Sequence, residues 1–145
     1  MIEIVVTRAY TASPEAVFDA WLTPGLACRF LFATAEGRLT RCEIDAREGG
    51  GFTIVDRRSD TDAVHRGRYE TIERPRLLVF LFSPDADGDD DWSRVIIEIE
   101  PTPIGCRLTL RHEMEDRWIE YEEPTRRAWT RMLENTAAAV ETADA

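Results

Sequence analysis

The chain contains no lysine; all 18 of its basic residues are arginine. Without an ε-amine there is no lysine Schiff base, which excludes ordinary pyridoxal phosphate chemistry. A phosphate-binding P-loop also lacks its lysine. Histidine is scarce, with only His65 and His112, and no HExxH or His-x-x-x-His spacing supplies the three or four ligands that a metal needs. Cys28, Cys42 and Cys106 are an odd set without CxxC spacing. They predict reduced thiols that act as small apolar fillers in a cytoplasmic protein. No GxSxG motif occurs, so nucleophilic hydrolysis has no support. No apolar run approaches the roughly 18 residues of a membrane span. The opening MIEIVVTRAY has an acid at position three and alternates like a strand, unlike a signal peptide.

What is present is ordinary globular material with a strong acidic bias. The 145 residues are 43% hydrophobic with a formal net charge of −10, which predicts one domain over 1–145 with one real core. Such a surface repels phosphate backbones and anionic lipid, so nucleic acid and membrane surfaces are not expected partners. Part of the charge sits in SPDADGDDDW (83–92). A calcium loop started at Ser83 would want an acid at that first position and a glutamate where Arg94 stands. A solvated hairpin loop is the better reading.

Residues 2–9 alternate as a strand. Ser13 can cap a helix that Pro14 opens, Val17, Phe18 and Trp21 recur at helical spacing, and Thr23-Pro24-Gly25 ends it. A second short helix is predicted over 26–30. Strands follow at 39–46, 51–57, 63–73, 77–83, 93–100 and 106–113, separated by breaks short enough for antiparallel hairpins. A final helix over 124–142 carries Trp129, Met132, Leu133, Thr136 and Val140 on one stripe, and it would run roughly 27 Å, enough to cross a sheet. The fold class is therefore α+β, with a curved antiparallel sheet covered by the last helix. Gly49-Gly50-Gly51 lacks the third glycine of a dinucleotide fingerprint, because Ile54 stands there. It reads as a sharp corner between strands rather than a phosphate cradle.

Five segments carry a family resemblance: ASPEAVFDAW (12–21), EIDAREGGGF (43–52), HRGRYETIERPRLLVFLF (65–82), GCRLTLRHE (105–113) and AWTRMLEN (128–135). Together and in this order they resemble the activator-of-heat-shock-protein-90-ATPase homologue family, a branch of the START-like (SRPBCC) domains, over nearly the whole chain. The resemblance implies the helix-grip, Bet v 1-like fold, with two short helices after the first strand and a cavity between sheet and long helix. The eponymous cochaperone resembles this chain only through its C-terminal domain; its N-terminal domain has no counterpart in these residues. Two departures bear on cavity shape: Ala128 precedes Trp129 where many relatives have glycine, and Phe30 replaces the more usual tryptophan.

Strand alternation puts His65 on one face with Gly67 and Tyr69, and His112 on one face with Leu108 and Leu110. Both histidines are thus candidates for the cavity or its mouth, as polar anchors, general bases or buried hydrogen-bonded side chains. Trp21, Phe32, Tyr69, Phe80, Trp118 and Trp129, with Met132 and Leu133 of the helix stripe, are candidate cavity walls and equally candidate core. Glu98 and Glu100 fall on the outer face, opposite to Val95, Ile97 and Ile99, as solvated charges.

Three readings of function follow. The first is a binding module holding an apolar or amphipathic small molecule, in a stress-response or metabolic role, with no cofactor and no metal. The alternatives are a chaperone-binding partner protein and a cyclase- or aromatase-like enzyme. The oligomeric state stays open between monomer and homodimer.

Overall fold

The computed structural model describes residues 1–31, 38–58, 61–83 and 92–141. Strand β1 (Ile2–Tyr10) leads into helices α1 (Pro14–Leu22) and α2 (Pro24–Phe30). Strands β2 (Arg38–Ile44), β3 (Gly51–Arg58), β4 (Thr61–Glu73), β5 (Leu77–Ser83), β6 (Ser93–Thr102) and β7 (Gly105–Met114) follow. A 3₁₀ turn (Asp116–Tyr121) then leads into helix α3 (Glu122–Glu141). The expected loop at 35–37 and the acidic stretch at 84–91 lie outside the described residues.

The strands form one antiparallel sheet in the order β1-β7-β6-β5-β4-β3-β2. Consecutive strands pair as hairpins from β2 to β7, and only β1 joins out of sequence, against β7 from Ile2↔Met114 to Tyr10↔Cys106. The sequence neighbours β1 and β2 thus occupy opposite edges, and α1 and α2 lie between them in the chain. The inner face carries Ile54, Leu78, Phe80, Val95, Ile97, Leu108 and Leu110, all buried. Each large side chain of this kind contributes roughly 1.5–3 kcal/mol on burial.

Helix α3 turns Trp129, Met132, Leu133, Thr136, Ala137 and Val140 inward, a spacing of three and four that makes one apolar stripe. Its buried polar atoms find partners both within the helix and on the sheet. The Thr136 hydroxyl donates to the Met132 carbonyl at 2.8 Å, and the Tyr10 hydroxyl reaches across from β1 to the Leu133 carbonyl at 2.9 Å. At the far end of the helix, the Glu141 carboxylate accepts from both the amide and the hydroxyl of Thr11. These contacts fix the long helix to the strand edge.

Three expectations need adjustment. Helix α2 begins at Pro24 rather than 26, because the Thr23 carbonyl accepts from Leu26 and Ala27 at 2.9 and 2.8 Å. Thr23-Pro24 therefore ends one helix and opens the next, as proline at a first helical position allows. Helix α3 begins at Glu122 and puts Pro124 inside its first turn, where a missing N–H costs no helical bond. The third is a correction: Cys28 and Cys42 are not reduced thiols but a disulfide, 14 residues apart in sequence with their Cα atoms 6.1 Å apart. It ties α2 to the edge strand β2, an approach that sequence spacing does not reveal. Only Cys106 is the buried free thiol expected, and burial pushes its pKa up to about 11.

The glycine corner is a bend and not a cradle. Gly49 has φ +87°, and a Cβ on Gly50 would lie 2.4 Å from the Asp45 carbonyl oxygen. The amides of Gly49 and Gly50 donate to the carbonyls of Tyr69 and Arg47 at 2.9 and 2.8 Å. They are committed to the turn and have nothing to offer a phosphate.

Candidate functional site

Most of the space between α3 and the sheet is filled by side chains. Trp21, Tyr69, Phe80, Trp129, Met132 and Leu133 are all buried in one continuous core. Trp21 packs on Phe30 and Trp129 with ring centroids 5.3 and 6.3 Å apart. Tyr69 and Phe80 close around Phe52 at 5.9 and 5.4 Å. Burial pushes the Tyr69 phenol well above its ordinary range, so it stays neutral. Phe32 lies outside the described residues.

Open space remains at one end of the sheet. There β5 ends, β6 begins, β7 ends and β1 begins, and the 3₁₀ turn and first turn of α3 pass over them. The result is a partly open pocket of about 660 Å³. Its apolar wall includes Phe82, Met114, Trp118 and Tyr121, and Ser93 and His112 contribute its inner polar atoms. Trp118 is placed by the 3₁₀ turn against a small satellite cluster of Ile2, Ile4 and Met114. Its ring lies 5.7 Å from Tyr121 and under the Arg117 guanidinium at 5.0 Å.

His112 joins the pocket to the core. It is 3% exposed. The Trp129 indole Nε1 donates to His112 Nδ1 at 2.9 Å, and His112 Nε2 lies 2.7 Å from Ser93 Oγ. An indole nitrogen can only donate, so Nδ1 must be the accepting nitrogen and the imidazole proton must sit on Nε2. Ser93 Oγ therefore accepts from His112, and its own proton goes to the Phe82 carbonyl at 3.3 Å. The hydrogen bonds run one way, from Trp129 through His112 and Ser93 to Phe82. Burial pushes the pKa of His112 down to about 4, so it is neutral near pH 7.

That direction decides what the group can do. A histidine activating a serine must accept the serine proton, and here it donates its own. The arrangement suits a fixed, neutral polar anchor rather than a Ser–His nucleophile.

His65 is half-buried on β4 and stacks on Phe82, with centroids 6.1 Å apart and planes 13° apart. Phe82 also meets His112 at 5.9 Å and Trp129 at 6.2 Å. The structure thus gathers His65, His112 and Trp129 around one phenylalanine, places Trp118 across the pocket, and leaves the other described candidates in the core. A second hollow of about 550 Å³ lies by the glycine corner, where Arg66 and Arg68 flank the Trp92 ring at 5.8 and 5.4 Å.

Ser93, Phe82, Met114 and Tyr121 were not singled out by the sequence. A signal existed for three of them, since Met114 continues the inward parity of Leu108, Leu110 and His112. Ser93 shares strand parity with Val95, Ile97 and Ile99, so it is a lone hydroxyl in an inward apolar series, and Phe82 shares parity with Phe80. Tyr121 depends on the 3₁₀ turn, which no periodicity announces.

Among the described residues no helix is long and apolar enough to cross a membrane, and no three His, Cys, Asp or Glu side chains converge to hold a metal. None of the curated proteins matches the chain in sequence. Solved structures do. A protein from Chromobacterium violaceum is 25% identical, with a TM-score of 0.83 over 96% of each chain. A protein from Staphylococcus aureus, at 20% identity, superposes with a TM-score of 0.84 over 99% of this chain and 95% of its own. The AHSA1-like protein from Aeromonas hydrophila, at 21% identity, gives 0.82 over 99% and 94%. The last two likenesses establish the shared helix-grip fold alone. The family model described as activator of Hsp90 ATPase homolog 1-like protein matches residues 11–141, and the chain belongs to that START-like family.

Proposed function

We propose that the protein binds an apolar or amphipathic small molecule in the pocket at the Ser93–His112 end of the sheet. The observation that carries this reading is the pocket itself. It offers about 660 Å³ walled by Phe82, Met114, Trp118 and Tyr121, with one convergent polar pair at its inner side. A pre-formed apolar hollow with few placed polar groups is the usual form of a small-molecule site. The metabolic or stress-response setting rests on family membership alone. Partner binding to a chaperone, the second reading, rests on the same membership. The committed tautomer of His112 counts against cyclase-like proton transfer through that residue, since its one free-base nitrogen already receives the Trp129 N–H.

The test is native mass spectrometry and crystallography of protein purified without denaturation. We expect an apolar adduct, or uptake of an apolar aromatic from a small panel, with density against Phe82 and Trp118. A pocket that stays empty in both experiments removes the reading.

A further inference from the structure

The hydrogen-bond direction through Ser93 says which head group the pocket will take. A serine hydroxyl has one proton and two lone pairs. Its proton goes to the Phe82 carbonyl and one lone pair receives His112 Nε2–H. One lone pair remains, on a residue that forms part of the pocket wall. We propose that the pocket selects an uncharged hydrogen-bond donor, a hydroxyl or amide N–H carried on an apolar ring, which Ser93 Oγ receives. The inference rests on the reading of this pocket as a ligand site.

The surrounding charges support the choice. An anionic head group would want a free cation, but Arg94 is paired with Glu70 at 3.1 Å and Arg117 with Glu115 at 2.7 Å. The amino terminus is paired with Asp116 at 2.6 Å. Glu113 adds a further negative charge to the wall. A cationic head group at Ser93 would sit beside His112, Phe82 and Trp129, the same dry surroundings that hold His112 uncharged. A neutral acceptor, such as an ether, could bond to Ser93 only if the hydroxyl turned away from Phe82. Losing one neutral hydrogen bond of this kind corresponds to a preference of about tenfold for the donor.

The experiment uses three probes of one shape: 1-naphthol as donor, 1-methoxynaphthalene as acceptor only, and 1-naphthoate as anion. Each is titrated into the wild-type protein at pH 7 by calorimetry. We expect naphthol to bind about tenfold more tightly than either of the others. In Ser93→Ala the acceptor is gone and the His112 Nε2–H that it received is released as a donor. The naphthol preference should therefore vanish or turn toward the methoxy and carboxylate probes, and Ser93→Thr, which restores the oxygen, should recover it. A methoxy or carboxylate probe that equals naphthol in the wild type, or a preference that survives in Ser93→Ala, overturns the head-group inference while leaving the site intact. Failure of all three to bind overturns the site and the inference together.

Discussion

His112 is the residue on which the site turns, and its environment makes a stability prediction. In an unfolded chain its imidazole titrates near 6.5, and in the fold burial lowers this to about 4. Between those values the unfolded state binds a proton that the folded state refuses. The contribution is therefore complete above pH 6.5 and is lost as pH falls toward 4, at up to about 1.4 kcal/mol per unit. Glutamine can accept from Trp129 and donate to Ser93 without titrating. Acidification from pH 7 to 4.5 should cost the wild type about 2 kcal/mol more than His112→Gln in urea unfolding. Parallel pH profiles would show that the histidine is not held neutral by the fold. Alternation alone was enough to turn His112 inward beside Leu108 and Leu110. Its indole partner was not legible, because the rotation of α3 over the sheet is a tertiary fact. Nor was the direction of the bonds, which needs both neighbours at once.

At the scale of elements, strands were legible wherever turn residues punctuated alternating runs, and β5 carries the bounds that its pattern predicts. Helix starts were less so. Thr23-Pro24 serves two helices at once, and α3 is entered through a 3₁₀ turn whose Trp118 and Tyr121 help to wall the pocket. The cysteine pairing was illegible, since it depends on α2 lying against the edge strand β2. An edge strand has an unpaired side that nothing else in the sheet restrains, and the Cys28–Cys42 bond ties this one down. Closing a loop of this length restricts the unfolded chain by roughly 3 kcal/mol. Reductant should therefore lower the urea midpoint of the wild type by an amount equivalent to about 2–3 kcal/mol. The Cys28→Ser, Cys42→Ser double variant should already be at the lower value and ignore reductant. Three titratable thiols in the unreduced, unfolded protein would show that the bond does not form. The pairing also removes two of the three thiols that suggested a reducing compartment.

For the whole molecule, the distribution of charge and exposed apolar surface separates a ligand carrier from a chaperone partner. The net charge is −10, yet many arginines on the sheet's outer face are already paired, as in Arg41–Glu43, Arg94–Glu70 and Arg111–Glu98. Among the described residues the exposed large hydrophobics are Met1, Val5, Ile104, Ile119 and Tyr121. Met1 and Tyr121 belong to the pocket wall, and Ile119 lies on the same 3₁₀ turn. A stable protein interface needs roughly 800 Å² on each partner with an apolar centre, whereas three of these five side chains gather around a hollow and Val5 and Ile104 stand apart from it. Adding the protein to a purified bacterial chaperone of the heat-shock-protein-90 class should leave its ATPase rate unchanged at physiological salt. If the acidic surface did engage a basic patch on the chaperone, the effect would be electrostatic and would shrink as salt shortens the screening length from about 10 Å at 0.1 M toward 3 Å at 1 M. A several-fold stimulation that fades in this way would rank partner binding above ligand binding. Stimulation that also disappears when 1-naphthol fills the pocket would tie the two roles to one site.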